Sequence, residues 1–532
     1  MASIPQGVYT RDHWPAVGGT AGGLRKRWWG GYEVELRADV IIIGSGAGGG
    51  VMAAELAEGG LDVLVLEEGG YHGTEEFTAD GAAMARKLYR DGGLTFALGT
   101  PPVMFSEGRC VGGSTTINGG MSWRTPDMIL ERWRREDGIS DATPDKMARY
   151  FERVESFISA RLNDPETLGR DNELLKQGAD KKGWRIIQNI RNTVHCAGSN
   201  NCAFGCPTGA KQSTLVSYLP RALRFGARVY ADCRVDKLLL DERENRARGV
   251  SGRVIESNGQ PSHRFVAHAP VVVVCCGSVQ TPALLARSGL KSPSGQLGHN
   301  LALHPNAKLV ALFDEDVEAY KGAHQFYQVR EFQEQGIGVL TAINVPPGII
   351  AMSMPMYGER LGALMRDYQR MVIAGCLIED SVTGRVRVTP GGKPVCTYQL
   401  ARRDAQQAVR AMSLLSELMF TAGAKRIILP FEGVPELTSI DDVRWLRNQH
   451  IGRESMELLT VHMMGTARMG DDPRRHVCDP RGQLYGARGV YLADASVFPS
   501  PIGVNPMETV MTLATRSAEK LLRDHQSGRL LS

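Results

Sequence analysis

The chain has 532 residues, 42% hydrophobic and 23% charged. That balance supports a large globular core and excludes disorder, collagen and coiled coil as the main architecture. The formal net charge is +4 with no long basic block, which argues against nucleic acid as the main partner.

Ten cysteines in such a length are too few for a disulfide scaffold. The start, MASIPQGVYTRDHW, has no apolar core of a signal peptide. The basic run Leu24 to Trp29 is followed by Gly30 and Gly31, and no stretch reaches the ~18 apolar residues of a membrane span. The expectation is a cytoplasmic protein without a membrane span; export alongside a signal-bearing partner subunit is the alternative.

In chain order, residues 39–43 (DVIII) form a short β-branched run, as a buried parallel strand requires. The glycine-rich 44–50 leads into a helical run closed by Gly59 and Gly60. Residues 61–66 are a second apolar strand ending at Glu67, which completes a β-turn-α-β unit. Residues 90–124 read as irregular, and 126–190 as helical and charged. A cysteine-bearing loop at 193–213 precedes a helix near 215–226, then strands near 227–240, 247–256 and 270–275. Residues 306–455 look strand-rich with one long helix at 403–422; a strand at 489–493 and a helix from about Pro506 close the chain. This order suggests a discontinuous α/β nucleotide-binding domain in segments 36–125, 191–305 and 456–532, interrupted by a second domain in segments 126–190 and 306–455.

Gly44-x-Gly46-x-x-Gly49 sits between strand and helix, with Glu67 18 residues further on. The first glycine permits the tight turn, the second admits a pyrophosphate to the backbone, and the third lets helix pack on strand. The helix N-terminus offers free N–H groups, and Glu67 can accept from a ribose hydroxyl. The pattern indicates a dinucleotide without separating FAD from NAD.

Five further motifs separate them. Gly108-Arg-Cys-Val-Gly-Gly-Ser-Thr-Thr-Ile-Asn118-Gly-Gly and Cys276-Gly-Ser-Val-Gln-Thr-Pro-Ala-Leu-Leu285 resemble the two signatures of the glucose–methanol–choline (GMC) flavin oxidoreductases. Leu297 to Leu301 with His304-Pro305, His462-Met-Met-Gly-Thr466, and Asp494 to Pro499 with Gly503 to Pro506 match the rest in order. The resemblance implies FAD, an α/β (α+β overall) fold with a Rossmann-like FAD-binding domain, a substrate domain on an antiparallel sheet with helices, and oxidation of a small-molecule alcohol. It makes Arg109, Gly113, Ser114, Asn118, Gly119, Gly277 and Ala495 candidate FAD contacts. It places Val235 at the adenine through its backbone and Asp494 at the ribityl–pyrophosphate region. Ile117 stands where some members carry a flavin-tethering His, so non-covalent FAD is expected.

His462 opens the HxxGT element, and imidazole suits removal of a hydroxyl proton as hydride leaves for the flavin. Asn505 matches the second active-site position. Asn505-Pro506-Met507-Glu508 also reads as N-cap, Pro at N1 and a capping-box Glu. Either way the helix would aim its positive end at the flavin.

Cys196, Cys202 and Cys206 form C-x5-C-x3-C followed by Pro207. Three thiolates in one loop can wrap a cluster. The spacing resembles FAD-dependent sugar dehydrogenases that carry a three-iron cluster, whereas Gly205-Cys-Pro-Thr-Gly resembles the long-chain alcohol oxidases. The expectation is a [3Fe-4S] cluster passing electrons to a quinone, cytochrome or other acceptor protein. Unmetallated packing thiols, with dioxygen as acceptor, are the alternative; zinc would need a fourth ligand, and only His195 is adjacent. Cys275 and Cys276 read as strand-end core residues. The apolar run Val345 to Met354 favours a bulky apolar alcohol or sterol, with a sugar second. A non-oxidising flavoprotein such as a lyase is the different-class alternative.

Overall fold

The computed structural model describes residues 4–14, 24–26, 32–241, 243–344, 346–381 and 384–531. Arg27, Trp28 and Trp29 of the basic run, the following Gly30 and Gly31, and Val345 of the apolar run lie outside the described residues.

The apolar runs become a parallel sheet because β-branched side chains pack on both faces of it. Its six strands lie in the order 8–9, 228–230, 63–66, 40–43, 271–274 and 490–492. Val40–Ile43 and Val271–Val274 are buried along their whole length. The strand order draws distant parts of the chain together: Val40 pairs with Val63 on one side and Val271 on the other. Helix Ala47–Glu58 covers this sheet between Tyr218–Arg224 and the last helix, Met507–Gln526. A second sheet joins Leu24–Lys26, Tyr32–Arg37, Cys233–Asp241, Arg246–Ile255 and Pro261–His268.

The largest sheet is mixed and mostly antiparallel. At its centre Asn306–Leu312 pairs with Met371–Ile378, which pairs with Ile337–Ile343. Helix Arg402–Ala422 covers it with Arg170–Lys182 alongside, burying Leu415, Leu418 and Met419 completely. The mixed α/β architecture expected from the sequence is thus present.

Thr95–Thr100 and Val103–Phe105, read above as irregular, are strands of this sheet. Thr95–Thr100 runs parallel to Pro394–Gln399, almost 300 residues away. A side chain at Gly99 would meet the Tyr398 carbonyl at 1.6 Å, so this glycine serves a close strand contact rather than a turn. Leu458–Thr460 also pairs into the sheet and delivers His462 just beyond its end.

Candidate active site

Between the parallel sheet and the large sheet lies a cavity of about 850 Å³. Gly44, Gly46, Glu67, Gly113, Ser114, Asn118, Gly119, Val235, Gly277, Asp494, Ala495, His462 and Asn505 all line it. Gly49 and Arg109 do not face it.

The glycine-rich turn is built as its spacing suggests. Gly44 has φ +95°, a left-handed conformation that favours glycine. A Cβ on Gly49 would fall 1.9 Å from the Gly44 carbonyl oxygen, so this position serves helix–strand packing. Gly46 is different: its nearest neighbour, the Gly113 Cα, would lie 3.8 Å from such a Cβ. Gly46 and Gly113 therefore present bare backbone to the cavity, at the start of helix Ala47–Glu58. This cradle fits a pyrophosphate.

Two buried acids brace the cradle. Glu67 accepts from the Ser45 N–H at 3.0 Å, the Ser45 hydroxyl at 2.7 Å and the Gly69 N–H at 2.9 Å. Burial pushes its carboxyl up despite these donors. Asp494 accepts from the Gly277 N–H at 3.0 Å, the Thr281 hydroxyl at 2.5 Å and the Ser496 N–H at 2.8 Å. Arg109 pairs with Glu68 at 3.4 Å. Burial opposes charge on Glu68, yet Arg90, Arg109 and Arg234 hold its carboxyl at about 2. Val235 lies at a β-bulge in Cys233–Asp241, which turns its backbone out of register.

The candidate catalytic corner also lines the cavity. His462 Nε2 is 3.3 Å from Asn505 Nδ2. His462 Nδ1 and Asn505 Oδ1 are buried without a hydrogen-bond partner among the described residues. Burial lowers His462 to about 4, which keeps its imidazole neutral and able to take a proton. Asn505 is no helix cap: Met507–Gln526 starts after Pro506, without a side-chain cap. Glu508, expected as the capping-box residue, is buried against Glu155, and burial and that neighbour raise its pKa. The helix start still reaches the cavity through Pro506 and Met507.

Sequence reading missed what positions this corner. His304 packs edge-on to His462, ring centroids 5.7 Å apart. Its Nε2 accepts from the Gly503 N–H at 3.2 Å, which fixes the loop carrying Asn505. Asp380 in turn accepts from the Leu303 and His304 N–H groups at 3.0 and 3.2 Å and from the Tyr398 hydroxyl at 3.1 Å. The only signal for His304 was its place in a motif.

The cysteine loop departs from expectation. Among the described residues no group of three His, Cys, Asp or Glu is placed to hold a metal ion, so the cluster anticipated at Cys196, Cys202 and Cys206 finds no support. Two of the three sulfurs face protein donors. Cys202 Sγ accepts from Arg191 Nη2 at 3.1 Å, and Cys206 Sγ accepts from the Lys211 N–H at 3.4 Å. Lys211 Nζ donates to the carbonyls of Thr116, Asn118 and Cys202 at 2.9, 2.7 and 2.7 Å. Arg191 donates to the Gly119 carbonyl at 3.1 and 2.8 Å. These two buried cations tie the cysteine loop to the cavity-lining segment Thr116–Gly119. The expected core reading of Cys275 holds: it is buried, and burial raises both vicinal thiols.

Among the described residues no helix is long and apolar enough to cross a membrane. An FAD binding domain model matches residues 39–88, and the N- and C-terminal GMC oxidoreductase models match 85–306 and 380–514. A GMC-type oxidoreductase of Sinorhizobium fredii is 36% identical over 92% of this chain and 95% of its own length. A long-chain-alcohol oxidase of Arabidopsis thaliana is 28% identical over 91% of this chain and 66% of its own. The crystal structure of a pyridoxine 4-oxidase from Mesorbium loti shares the fold, with TM-score 0.66 and 19% identity over 91% of this chain and 98% of that one. With its glycine cradle, its HxxGT histidine and family models covering most of its length, the chain belongs to the GMC oxidoreductase family.

Proposed function

We propose that this FAD-dependent oxidoreductase oxidises a primary or secondary alcohol whose hydroxyl docks on His462 and Asn505. The observation that carries this reading is the 3.3 Å His462–Asn505 pair, with its unpaired buried atoms, on the wall of the cavity that the glycine cradle opens into.

Bound FAD would rest its adenosine and pyrophosphate on Gly44, Gly46, Gly113, Ser114, Val235 and the Glu67 brace, its ribityl–pyrophosphate region on Asp494, and its isoalloxazine on Asn118, Gly119, Gly277 and Ala495. FAD, when bound, supplies the acceptor for hydride from the carbinol carbon. His462 takes the hydroxyl proton at Nε2, since burial holds that ring neutral. Asn505 holds the alcohol oxygen through its amide. Positive charge from the start of helix Met507–Gln526 favours electron density accumulating on that side of the cavity.

A bulky apolar alcohol suits the walls. Met104, Val339, Ile343, Ile349, Leu377 and Leu459 line the cavity, and Leu94, Met352 and Val461 add exposed apolar surface to its lining. Because Cys202 Sγ accepts from Arg191 and Cys206 Sγ from the Lys211 N–H, no electron step is assigned to that loop; dioxygen or a small two-electron carrier is the proposed acceptor. The test is product analysis of FAD-loaded enzyme with long-chain primary alcohols, a sterol and sugars. The aldehyde of a long-chain alcohol is expected; turnover of sugars alone would overturn the substrate class.

A further inference from the structure

The large sheet presents ordered rows to the cavity. On strand Asn306–Leu312, Asn306 and Lys308 share a face because side chains alternate. Lys308 pairs with Gly375 and Gly375 with Thr341, while Asn306 pairs with Leu377 and Leu377 with Val339. All six residues line the cavity. One row is mostly apolar; the next carries an ammonium and a hydroxyl.

Lys308 reaches this position because Gly375 has no side chain. A Cβ there would come within 3.2 Å of Lys308 Cγ. Among the described residues Lys308 Nζ has no hydrogen bond and no ion pair. The carboxylates lining the cavity are Glu67, Glu68, Glu107 and Asp494. Glu67 and Asp494 brace backbone turns, and Glu68 and Glu107 pair with Arg90 at 3.0 and 3.5 Å. None of them answers Lys308, which burial alone pushes down to about 8. The nearby charges add to the imbalance: Arg191, Lys211 and Lys308 all act, after burial, to hold His324 neutral at about 3. Arg191 and Lys211 already bind backbone carbonyls; Lys308 binds nothing. Lys308 is half-buried on the cavity wall; its ammonium keeps some water there, and a bound anion would give it the charge-assisted partner that the protein does not.

We propose that Lys308 receives a carboxylate carried by the substrate, so that the enzyme oxidises a hydroxylated carboxylic acid whose carbinol sits at His462 and Asn505. This rests on the alcohol-oxidising function proposed above and names its substrate class. A single unaccompanied cation matches a monoanion better than a phosphate dianion. Lys308 lies two residues, about 7 Å along the strand, from Asn306, and Asn306 pairs with Leu459 near the catalytic corner. The carboxylate and the carbinol therefore belong to separate ends of the ligand, joined by a chain on the Val339–Leu377 row.

The test is calorimetric binding of hexanoate and hexanamide to FAD-loaded enzyme. Hexanoate is expected to bind at least about tenfold more tightly than hexanamide, since a charge-assisted bond is worth ~10–100-fold. Lys308→Met should weaken hexanoate by that factor and leave hexanamide within about threefold, and Lys308→Arg should recover hexanoate. Equal affinities for the two probes in the wild type, or unchanged hexanoate binding in Lys308→Met, would overturn the proposal. So would loss of FAD from Lys308→Met, which would put the ammonium on the cofactor. Hexanoate has no carbinol, so this readout is independent of turnover: failure of alcohols to reduce the flavin, with the hexanoate result intact, would remove the alcohol reading and leave an anion site.

Discussion

The candidate catalytic corner and the cysteine loop pack against the same part of the molecule, and they differ in how their key polar groups are met. In the corner, His462 Nδ1 and Asn505 Oδ1 are buried and unpaired. In the loop, Lys211 uses all three of its N–H bonds on carbonyls, and two sulfurs meet protein donors. A buried polar atom without a partner costs ~1–3 kcal/mol, and on the cavity wall a bound ligand can complete it. Groups satisfied within the protein hold structure. On the function proposed above, the contrast places the chemistry at the histidine and leaves the cysteines a structural part.

Several changes would break or sharpen this contrast. The largest effect is expected from His462→Ala, which should retain FAD but slow flavin reduction by alcohol ~10²–10⁴-fold, the range of a general base; anaerobic stopped flow reads it. Gly49→Ala comes next. Its new methyl would sit 1.9 Å from the Gly44 carbonyl oxygen, so helix Ala47–Glu58 must shift, at a cost of ~1–3 kcal/mol or more, and purified protein should carry little FAD. Gly46→Ala has room, and should lower FAD affinity without lowering the melting temperature of the apoprotein comparably. Lys211→Met orphans three buried carbonyls and should destabilise by ~2 kcal/mol or more, visible as a lower melting temperature and faster FAD release. The smallest effect should be Cys202→Ser, which keeps flavin reduction within about threefold. Iron and sulfide bound by anaerobically purified wild type and lost in Cys202→Ser would reverse the reading of the loop.

The pH profile sharpens the corner further. His462 is lowered from an ordinary value of 6.5 to about 4 by burial. As a base it must be unprotonated, so kcat/KM should hold steady down to about pH 5 and fall through pH 4. The linkage has the same sign. Below pH 6.5 the unfolded chain binds a proton that the folded imidazole refuses, so this group's contribution disfavours the fold increasingly as pH falls toward 4.

Much of the nucleotide end was legible because its geometry is local. Gly44, Gly46 and Gly49 act within one turn; Gly44 takes the turn and Gly49 the close packing that the spacing suggests, and Gly46 leaves its backbone open to the cavity. Neighbouring sequence also identified His462. Asn505 was ambiguous, since Asn-Pro-x-Glu reads as a helix start; the amide at His462 and the cap at Pro506 separate the two roles. The cysteine spacing could not decide between cluster and packing, because spacing says nothing about where a sulfur points. Arg191 and Lys211 lie in sequence on either side of the loop, and only the fold turns them onto Cys202 and Cys206. Lys308 could not be found from sequence at all. Its significance depends on Gly375 and Thr341, which reach it through non-local strand pairing, and the strand Thr95–Thr100 was hidden for the same reason.

The central claim is that carbinol C–H cleavage reduces the flavin while His462 holds the proton. Anaerobic stopped flow of FAD-loaded enzyme with a long-chain primary alcohol, and with its 1,1-dideuterated form, tests it most directly. The account predicts bleaching of the flavin absorbance in the absence of oxygen, slowed severalfold by deuterium, and slowed ~10²–10⁴-fold in His462→Ala. Flavin that stays oxidised, or that bleaches at the same rate in His462→Ala, would contradict it.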